Sequence, residues 1–419
     1  MSKQTESVEA LMLYLKDQPV GVLSHYSGSK NILIFSPDYI ALPESSRPVF
    51  TLTQKRAATY LEKTRFSSQK LPPVLSNLLS EGALRGWMAQ TLKVHREDEF
   101  PLFAYAGGNL PGGLIAKSIP KGEIPVWALA SRGERLEAVQ IDVRHQADKF
   151  SLAGVQMKFS AVRKEGRFNI STDIGADSWI IKTPSTVHRA VPENEFSAMM
   201  LAQKIGVSIP EIKLIEQSEL IDLPDIPLPA EKYAFAIRRF DRGDSGRIHT
   251  EDFAQIFQVY AHEKYKRFNY DHIAIALHTV GSGGLGDIQQ MARRLLANIL
   301  LANGDAHLKN WTVIYSNGLD AQLSPAYDIV STLPYVAGED SVALNMAKEK
   351  RWSMIDFSTF EKWASRIDVP WLAIRVHLQD AMRVARESWP AMLDDLPMLE
   401  AHKVILKAHW ASLSSDFRI

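Results

Sequence analysis

The sequence predicts a protein of the α+β class, in which β-rich segments precede a helical part. Two observations support this prediction. Short apolar segments with strand-like alternation, separated by Gly, Pro, Asn and Ser, occupy residues 9–55 and recur between residues 159 and 240. From about residue 250 the apolar residues change to helical spacing, most clearly between Ile288 and Ile299. The chain is therefore expected to form β-rich units first and a helical unit last.

The composition limits the classes of protein to which the chain can belong. Its 419 residues, 46% of them hydrophobic, are enough for two or three domains with their own cores. The 48 Lys and Arg residues balance the 48 Asp and Glu residues, so there is no overall charge that favours nucleic acid. Cysteine is absent, which excludes disulfides, thiolate metal sites and a cysteine nucleophile. Without a membrane-length apolar segment or a signal-peptide core, a cytoplasmic protein with no membrane association is expected.

Residues 1–145 are predicted to form a first, β-rich unit. Residues 56–100 have rough helical spacing, and the glycine-rich segment Phe103–Ile115 is expected to be a packed loop or a helix start. The expected strands are Leu11–Leu15, Val20–Leu23, Ile32–Phe35 and Val49–Leu52.

Residues 146–245 are predicted to form a second sheet with one main helix. That helix is expected at Glu195–Ile205, because Gly206 follows its last apolar residue. Glu165-Gly166 is expected to be a turn between the first two strands. The expected strands are Phe159–Val162, Phe168–Ser171, Trp179–Thr183, Ile212–Glu216 and Tyr233–Phe240.

Residues 246–419 are predicted to form a helical unit, with helices from Thr250 onward. One hairpin interrupts the helices, because Asn317-Gly318 separates Trp311–Tyr315 from Gln322–Leu323. The segment Gly281–Gly286 matches G-x-G-x-x-G, but a helical pattern precedes it where a dinucleotide loop needs a strand. This segment is therefore expected to be a flexible connection between two helices.

The strongest functional pattern is Asn303-Gly304-Asp305-Ala306-His307-Leu308-Lys309-Asn310. It places an acid and an amide five residues apart, and a second acid, Asp328, follows the predicted hairpin. A protein-kinase active site needs these groups, because one Asp accepts the proton of the attacking hydroxyl while an Asn and a second Asp hold Mg²⁺. Asp305 is thus the predicted base, and Asn310 and Asp328 are the predicted metal ligands. Singly, each could equally be an ordinary turn residue.

Lys182 ends an apolar strand, as does the kinase lysine that pairs with nucleotide phosphates. It could equally lie at an exposed strand end. Glu195 could be its carboxylate partner, although Glu193 competes and both could be ordinary acids of a helix N-terminus. The segment Ser151–Lys158 has small residues that would let backbone N–H groups approach phosphates, but it could also be a simple turn. The combination predicts a bilobal, protein-kinase-like fold.

In its motifs the chain resembles the HipA family of serine/threonine-kinase toxins from bacterial toxin–antitoxin modules. The similarity extends over nearly the whole chain, including the N-terminal Asp17–Gly21. The motifs that carry it are Ser151-Leu-Ala-Gly-Val-Gln-Met-Lys158, Ile180-Ile-Lys-Thr-Pro184, Glu193-Asn-Glu195, Arg239-Phe-Asp-Arg242, Glu251-Asp-Phe253, Gly304-Asp-Ala-His-Leu-Lys-Asn310 and Tyr327-Asp-Ile329. Arg238 departs from the family, which often has an acid there, and Met157 varies the phosphate loop.

The resemblance implies a set of roles, with ATP and Mg²⁺ as cofactors. Asp305 would be the base, Asn310 and Asp328 would bind Mg²⁺, and Ser151 would be the site of an inactivating autophosphorylation. The implied ATP-binding residues are Ala153, Gly154, Val155, Gln156, Met157, Lys158, Lys182, Arg238, Arg239, Phe240, His307 and Tyr327.

The resemblance also implies partners. A small helix-turn-helix antitoxin, HipB, would restrain the kinase, and DNA would be reached only through that complex. The implied substrate is an aminoacyl-tRNA synthetase, whose phosphorylation stalls translation and causes growth arrest or persistence. Two alternatives stay open on the residues alone: a small-molecule kinase on the same fold, and a kinase-like binding or co-repressor module. The intact Lys182, Asp305, Asn310 and Asp328 argue against the second.

Overall fold

The structure is a computed structural model that describes residues 5–120, 122–129, 138–144, 158–164, 167–170, 178–223, 228–244 and 246–419. It has the predicted α+β class, with β-rich parts before a helical part. In the described part of the chain, short 3₁₀ turns lie at Val126–Ala128, Gln217–Glu219, Ala261–Glu263, Leu308–Asn310 and Trp352–Met354.

The N-terminal unit, residues 10–118, is an antiparallel sheet with helices packed on one face. Leu11, Leu13 and Leu15 alternate into the core beneath the helices, whereas Ala10 and Met12 face the other side. The strands run in the order β5-β4-β3-β2-β6, and β1 pairs with β7. The elements are β1 (Thr5–Val8), β2 (Ala10–Leu15), β3 (Gln18–Tyr26), β4 (Lys30–Phe35), β5 (Arg65–Ser68), β6 (Leu114–Ser118), β7 (Ile141–Arg144), α1 (Pro37–Ala41), α2 (Thr53–Arg56), α3 (Pro73–Ser76), α4 (Gly82–Leu92) and α5 (Glu99–Ala106).

The expected strands β2, β3 and β4 are confirmed, but the expected strand at Val49–Leu52 is wrong. This segment is buried and irregular because side chains hydrogen-bond to its backbone. Oε1 of Gln54 accepts from the N–H groups of Phe50 and Thr51 at 3.0 and 3.2 Å, and Oε2 of Glu251 accepts from that of Leu52 at 2.8 Å. A strand, β5, also lies in the stretch 56–100 that was expected to be helical; it pairs with β4.

The central sheet has strand order β11-β13-β10-β8-β9-β12, antiparallel except for the β9–β12 pair. Phe235 and Ile237 of β13 face α6 and the main core, while Trp179 and Ile181 of β10 face a smaller core on the opposite side. The helix begins at Val191 rather than Glu195, since Pro192 suits a first turn. The elements are β8 (Lys158–Lys164), β9 (Arg167–Ile170), β10 (Trp179–Lys182), β11 (Ile212–Glu216), β12 (Leu220–Ile221), β13 (Tyr233–Arg238) and α6 (Val191–Lys204). The expected turn Glu165-Gly166 lies outside the described residues.

The helical lobe follows the central sheet. Its helices are α7 (Phe253–Ile256), α8 (Tyr270–Thr279), α9 (Gly284–Leu300), α10 (Phe357–Arg366), α11 (Trp371–Asp395) and α12 (Glu400–Ser412). Its short strands are β14 (Arg242–Gly243), β15 (Gly246–Arg247), β16 (His249–Asp252), β17 (Thr312–Tyr315), β18 (Gln322–Leu323), β19 (Ser341–Met346) and β20 (Glu349–Arg351).

Two expectations for this lobe are confirmed and one is wrong. The β17–β18 hairpin forms, and the glycine-rich segment at 281–286 connects α8 with α9 and contributes the first residues of α9. The chain does not enter a helix at Thr250, however. Residues 249–252 form β16, whose partner β17 lies about sixty residues later, so no local pattern indicates it.

The N-terminal unit packs directly on the helical lobe. The buried Glu251 carboxylate accepts hydrogen bonds from the Leu52 N–H group at 2.8 Å and the Tyr315 hydroxyl at 2.6 Å. Burial raises the pKa of Glu251 to about 7. At Gly113 a Cβ atom would lie 2.9 Å from the backbone of His249, so the close contact between the two units requires glycine there.

Candidate active site

Lys182 is the buried cation of the candidate site. It ends β10 opposite Lys158 of β8 and Phe235 of β13, and it is 4% exposed. Its Nζ donates to Oε1 of Glu195 on α6 and to Oδ1 of Asp328. A buried ammonium requires such partners, because taking it out of water unpaired is costly. Burial lowers the pKa of Lys182, but Asp328 and Glu195 outweigh this and raise it above its ordinary value.

A second lysine, Lys158, lies on the same carboxylate. Its Nζ is 3.3 Å from Oδ2 and 3.4 Å from Oδ1 of Asp328. Burial acts to raise the pKa of Asp328, but the ammonium groups of Lys158 and Lys182 hold it far below its usual range. Asp328 is therefore an anion at neutral pH, with two cations that can bind phosphate beside it.

The backbone at Asp328 is in the left-handed region, with φ of +53°. Asp tolerates this conformation better than most residues, and such positions occur often at functional sites. The preceding Tyr327 is anchored: its hydroxyl donates to the Lys309 carbonyl at 2.8 Å and lies 2.5 Å from Oγ1 of Thr312. This tyrosine thereby ties the Asp328 segment to the loop that carries Asp305.

Asp305 and Asn310 lie in one tight loop between α9 and β17. Nδ2 of Asn310 donates to the Asp305 carbonyl at 2.9 Å, so Oδ1 is the atom of this amide that can bind a cation. The Asp305 N–H group donates to Oδ1 of the buried Asn303 at 3.0 Å. The Asp305 carboxylate itself accepts a hydrogen bond from the hydroxyl of Tyr265. The loop is thus fixed by its own polar groups, while the carboxylate faces a partly exposed tyrosine.

His307 lies buried in the same loop. Its ring makes an edge contact with Tyr265, with centroids 5.0 Å apart. Burial, with a smaller contribution from Lys264, lowers the pKa of His307 to about 4, so the imidazole is neutral at pH 7. Among the described residues, none hydrogen-bonds to its buried Nδ1 atom. The Nδ1 atom of His307 could therefore form a hydrogen bond with a ligand bound next to Asp305.

Three of the implied ATP-binding residues, Arg238, Arg239 and Phe240, have different environments. Arg238 is exposed, and its guanidinium is 3.6 Å from Glu211. Arg239 is buried and pairs with Asp241 through two bonds of 2.9 and 2.8 Å, which commits its side chain to the protein. The Phe240 ring lies 5.7 Å from that of Tyr327. Of the three, Phe240 is the side chain that both borders the Asp328 segment and can contact a flat ring.

The oxygen donors of Asn310 and Asp328 fit a magnesium site in which nucleotide phosphates and water complete the coordination. The described residues contain no group of three or more His, Asp or Glu side chains able to hold a metal ion by themselves. The predicted phosphate-loop residues Ala153–Met157 and the predicted autophosphorylation site Ser151 lie outside the described residues. Of that loop, the structure describes Lys158.

Sequence reasoning missed four residues of the site. Tyr265 and Glu81 are distant in sequence from Asp305, and nothing in their local sequence indicates contact with that loop. Lys309 belongs to the Asp305 motif, but the chemistry of phosphoryl transfer gives it no role. Asn194, between Glu193 and Glu195, is fully buried and exchanges hydrogen bonds of 2.9 and 3.1 Å with the backbone of Ser331. A buried amide pairing with a distant backbone is not visible in the sequence.

Comparisons with known proteins assign the family. Residues 11–117 match the model of the HipA N-terminal domain, and residues 150–389 match that of the HipA-like C-terminal domain. The chain is 34% identical over 395 residues to "Putative kinase Y4dM" of Sinorhizobium fredii, covering 93% of this chain and 94% of that protein. It is 23% identical over 313 residues to the serine/threonine-protein kinase toxin HipA of Shewanella oneidensis, covering 68% of each.

The fold agrees with a solved HipA structure. The Shewanella oneidensis HipA chain, solved in complex with HipB and operator DNA, superposes with a TM-score of 0.71 at 18% identity, covering 96% of this chain and 95% of that one. The predicted bilobal, kinase-like fold is thereby confirmed. Within the described part of the chain, no helix has both the length and the apolar character needed to cross a membrane. On the two family models and the 34% identical relative, the chain belongs to the HipA family of kinases.

Proposed function

We propose that the protein is an ATP- and Mg²⁺-dependent serine/threonine protein kinase that acts as the toxin of a toxin–antitoxin module. The observation that carries the proposal is the buried contact of Lys182 with both Glu195 and Asp328. It joins the central sheet, α6 and the segment after the β17–β18 hairpin. A lysine–glutamate pair beside a metal-binding acid is the arrangement that protein kinases need for activity.

Each polar group of the site has a role in this proposal. Lys182 and Lys158 bind the nucleotide phosphates, and Asn310 and Asp328 hold the metal. Magnesium neutralises the charge that the phosphates carry and develop during transfer. Asp305 accepts the proton of the acceptor hydroxyl, and the acceptor must displace the Tyr265 hydroxyl to reach it. Phe240, with the backbone of Arg238 and Arg239, borders the adenine, and His307 and Tyr327 complete the nucleotide site.

The two lysines on Asp328 support this assignment. In the structure they neutralise one carboxylate. With nucleotide bound, Lys158 and Lys182 would pair with the triphosphate, and the Asp328 carboxylate would be available to hold a cation. Lys158 and Lys182 would thus have an anionic partner both without nucleotide, in Asp328, and with nucleotide, in its phosphates.

We further propose that Ser151 is phosphorylated by the protein itself and that this modification inactivates it. A phosphate adds about −1.5 to −2 charges at pH 7. Ser151 lies two residues before the predicted phosphate loop, so the added charge would repel the nucleotide phosphates. We expect the phosphorylated protein to bind ATP poorly.

The proposed partners follow from the family. The Shewanella oneidensis relative was solved with HipB and operator DNA, which supports a HipB-like helix-turn-helix antitoxin as the partner of this chain. DNA contact is proposed only through that complex. The expected acceptor is an aminoacyl-tRNA synthetase, whose phosphorylation would inhibit translation and arrest growth.

The test is labelling of a cell lysate by the purified protein with γ-labelled ATP. We expect label on serine or threonine of a protein, identified by mass spectrometry, and loss of transfer when magnesium is chelated. If only small molecules carried label, the protein would be a small-molecule kinase and the protein-kinase proposal would be wrong. Absence of any transfer by a protein that is folded and binds Mg-ATP would contradict both.

A further inference from the structure

A carboxylate of the N-terminal unit reaches the catalytic loop. Glu81 directly precedes α4, at the N-cap position, where a side-chain oxygen can accept from the first N–H groups of the helix. Within the described part of the chain, its carboxylate makes no such capping bond. Instead Oε1 lies 3.1 Å from Nζ of Lys309, and Oε2 lies 3.0 Å from Nζ of Lys264.

Lys309 belongs to the loop that carries both Asp305 and Asn310. Its Nζ also lies 3.7 Å from Oδ2 of Asp252 on the helical lobe. Nζ donates to the Asn77 carbonyl at 2.8 Å, in addition to its pairing with Glu81, and its side chain is 13% exposed. Asn77 is itself fixed on the helical lobe, because its Nδ2 donates to the Val259 carbonyl at 2.7 Å. The loop is therefore held from outside by the N-terminal unit.

Lys264, the second partner of Glu81, lies on the other side of the base. It directly precedes Tyr265, whose hydroxyl donates to the Asp305 carboxylate. Its backbone also joins the catalytic loop, since the Leu308 N–H group donates to the Lys264 carbonyl at 3.4 Å. The contacts form a closed ring: Glu81 to Lys264, along the chain to Tyr265, to Asp305, along the loop to Lys309, and back to Glu81.

From this ring we infer that Glu81 is a positioning residue for phosphoryl transfer, holding Asp305 and Asn310 in register through Lys309 and Tyr265 through Lys264. The inference rests on the proposed function of Asp305 as base. It gives the N-terminal unit a direct part in catalysis, in addition to its packing on the helical lobe.

The charge state of Glu81 agrees with this role. Burial alone would raise its pKa, but Lys309 and Lys264 outweigh it and lower the pKa to about 2. The carboxylate is therefore ionised throughout the working range of an enzyme. Because its side chain is 39% exposed, the pair contributes little to global stability, and a neutral variant should fold.

The test compares Glu81→Gln, Glu81→Asp, Lys309→Met and the Glu81→Gln/Lys309→Met double variant with the wild type. The control is Lys55→Met, because Lys55 joins the same two units by donating to the Leu319 carbonyl at 2.6 Å, at the tip of the β17–β18 hairpin. The readouts are ADP release from Mg-ATP, Mg-ATP affinity, thermal unfolding, and hydrogen–deuterium exchange of residues 303–311.

We expect Glu81→Gln to lower kcat by roughly tenfold to a hundredfold, the scale of a small displacement of catalytic groups. Mg-ATP affinity should fall by a smaller factor, because Asn310 is displaced but still present. Exchange in residues 303–311 should become faster, and Glu81→Asp should recover part of the loss. The loss in the double variant should be smaller than the product of the two single losses, because Glu81 acts partly through Lys309 and partly through Lys264. Lys55→Met should leave kcat and loop exchange unchanged.

Two results would overturn the inference. One is a Glu81→Gln protein with wild-type loop exchange and kcat. The other is an equal loss in Lys55→Met, which would mean that any loosening of the two units has the same effect. The exchange measurement does not depend on activity. If the wild type transfers no phosphate, a selective rise of exchange in Glu81→Gln would still support the positioning role while the proposed function failed.

Discussion

At the scale of single residues, the site depends on a few charges held out of water. Lys182 is almost fully buried and is balanced by Glu195 and Asp328, while Lys158 lies on the exposed side of the same aspartate. This arrangement leaves Asp328 ionised and holds its carboxylate between the two lysines. The free-energy cost of ordering these charged side chains is therefore part of folding, as it is in enzymes with preorganised electrostatic groups.

Replacement of Asp328 by Asn should weaken binding of Mg-ATP. The change keeps the shape of the side chain but removes an anionic oxygen from a hard-cation site, and we expect a loss of roughly tenfold or more in affinity. Titration of Mg-ATP into both proteins measures this. Asp320→Asn, on the exposed end of the β17–β18 hairpin, is the matched control. Equal affinities of wild type and Asp328→Asn at equal magnesium would contradict the metal role.

The buried His307 should make stability depend on pH. Burial lowers its pKa to about 4 in the folded protein, from an ordinary value of 6.5. Between these values the unfolded chain binds the extra proton, so this contribution to stability is complete above pH 6.5 and is lost as the pH falls towards 4. Each pH unit in that window corresponds to about 1.4 kcal/mol.

Urea unfolding of the wild type and His307→Gln at several pH values measures this contribution. The free energy of unfolding should fall more steeply with decreasing pH in the wild type than in the variant. If the free energy of unfolding changed equally with pH in both proteins between pH 4 and 6.5, burial would not be holding His307 neutral.

At the scale of elements, the site is assembled from segments that meet only in the fold. Helix α6 supplies Glu195, and the neighbouring Asn194 fixes the chain just beyond Asp328 through both backbone groups of Ser331. The helix therefore determines where Asp328 lies relative to Lys182.

Replacement of Asn194 by Ala should destabilise the protein. It leaves the Ser331 N–H and carbonyl groups buried without their partner, at a cost of about 1–3 kcal/mol for each unsatisfied group. Ser197→Ala on the same helix is the control, because that hydroxyl bonds within the helix to the Glu193 carbonyl. Urea unfolding should show a clearly larger loss for Asn194→Ala. Equal effects would argue against the clamp between α6 and the Asp328 segment.

The sequence predicted those helices and strands that are specified by residues within the element itself. Strands β2, β3 and β4 alternate, the β17–β18 hairpin has its Asn-Gly turn, and α9 has a continuous apolar face. Residues 49–52 were expected to form a strand because burial looks alike in a strand and in a buried loop. Their backbone partners, Gln54 and Glu251, are side chains, and the second lies about two hundred residues away. Strand β16 was missed because its partner strand, β17, lies about sixty residues later in the sequence.

The candidate site divides in a similar way. Asp305, Asn310, Asp328 and Lys182 were identifiable because the chemistry of phosphoryl transfer fixes their types and order. Tyr265 and Glu81 were not, because their role comes from tertiary contact with the loop around Asp305 and leaves no spacing in the sequence. Arg239 was predicted as a nucleotide contact, whereas its side chain is committed to Asp241; a contact through its backbone stays a prediction.

At the scale of the whole molecule, the proposed toxin role predicts a growth phenotype. Expression without a partner protein should arrest growth, because phosphorylation of the acceptor would inhibit translation. Co-expression of a HipB-like protein should relieve the arrest. Growth curves of cells that express the wild type and Asp305→Ala measure the effect, and equal arrest by both would show that toxicity does not depend on phosphoryl transfer.

The most direct test of the account is phosphate transfer by Asp305→Ala. Loss of a positioned base commonly reduces a rate by about 10²–10⁴-fold. The Asp305 side chain makes its hydrogen bond with a partly exposed tyrosine, so the variant should fold and bind Mg-ATP. With γ-labelled ATP and a host lysate as acceptor, the wild type should label serine or threonine and the variant should be nearly inactive. A folded Asp305→Ala protein that transfers phosphate at close to the wild-type rate would contradict the assignment of Asp305 as the base.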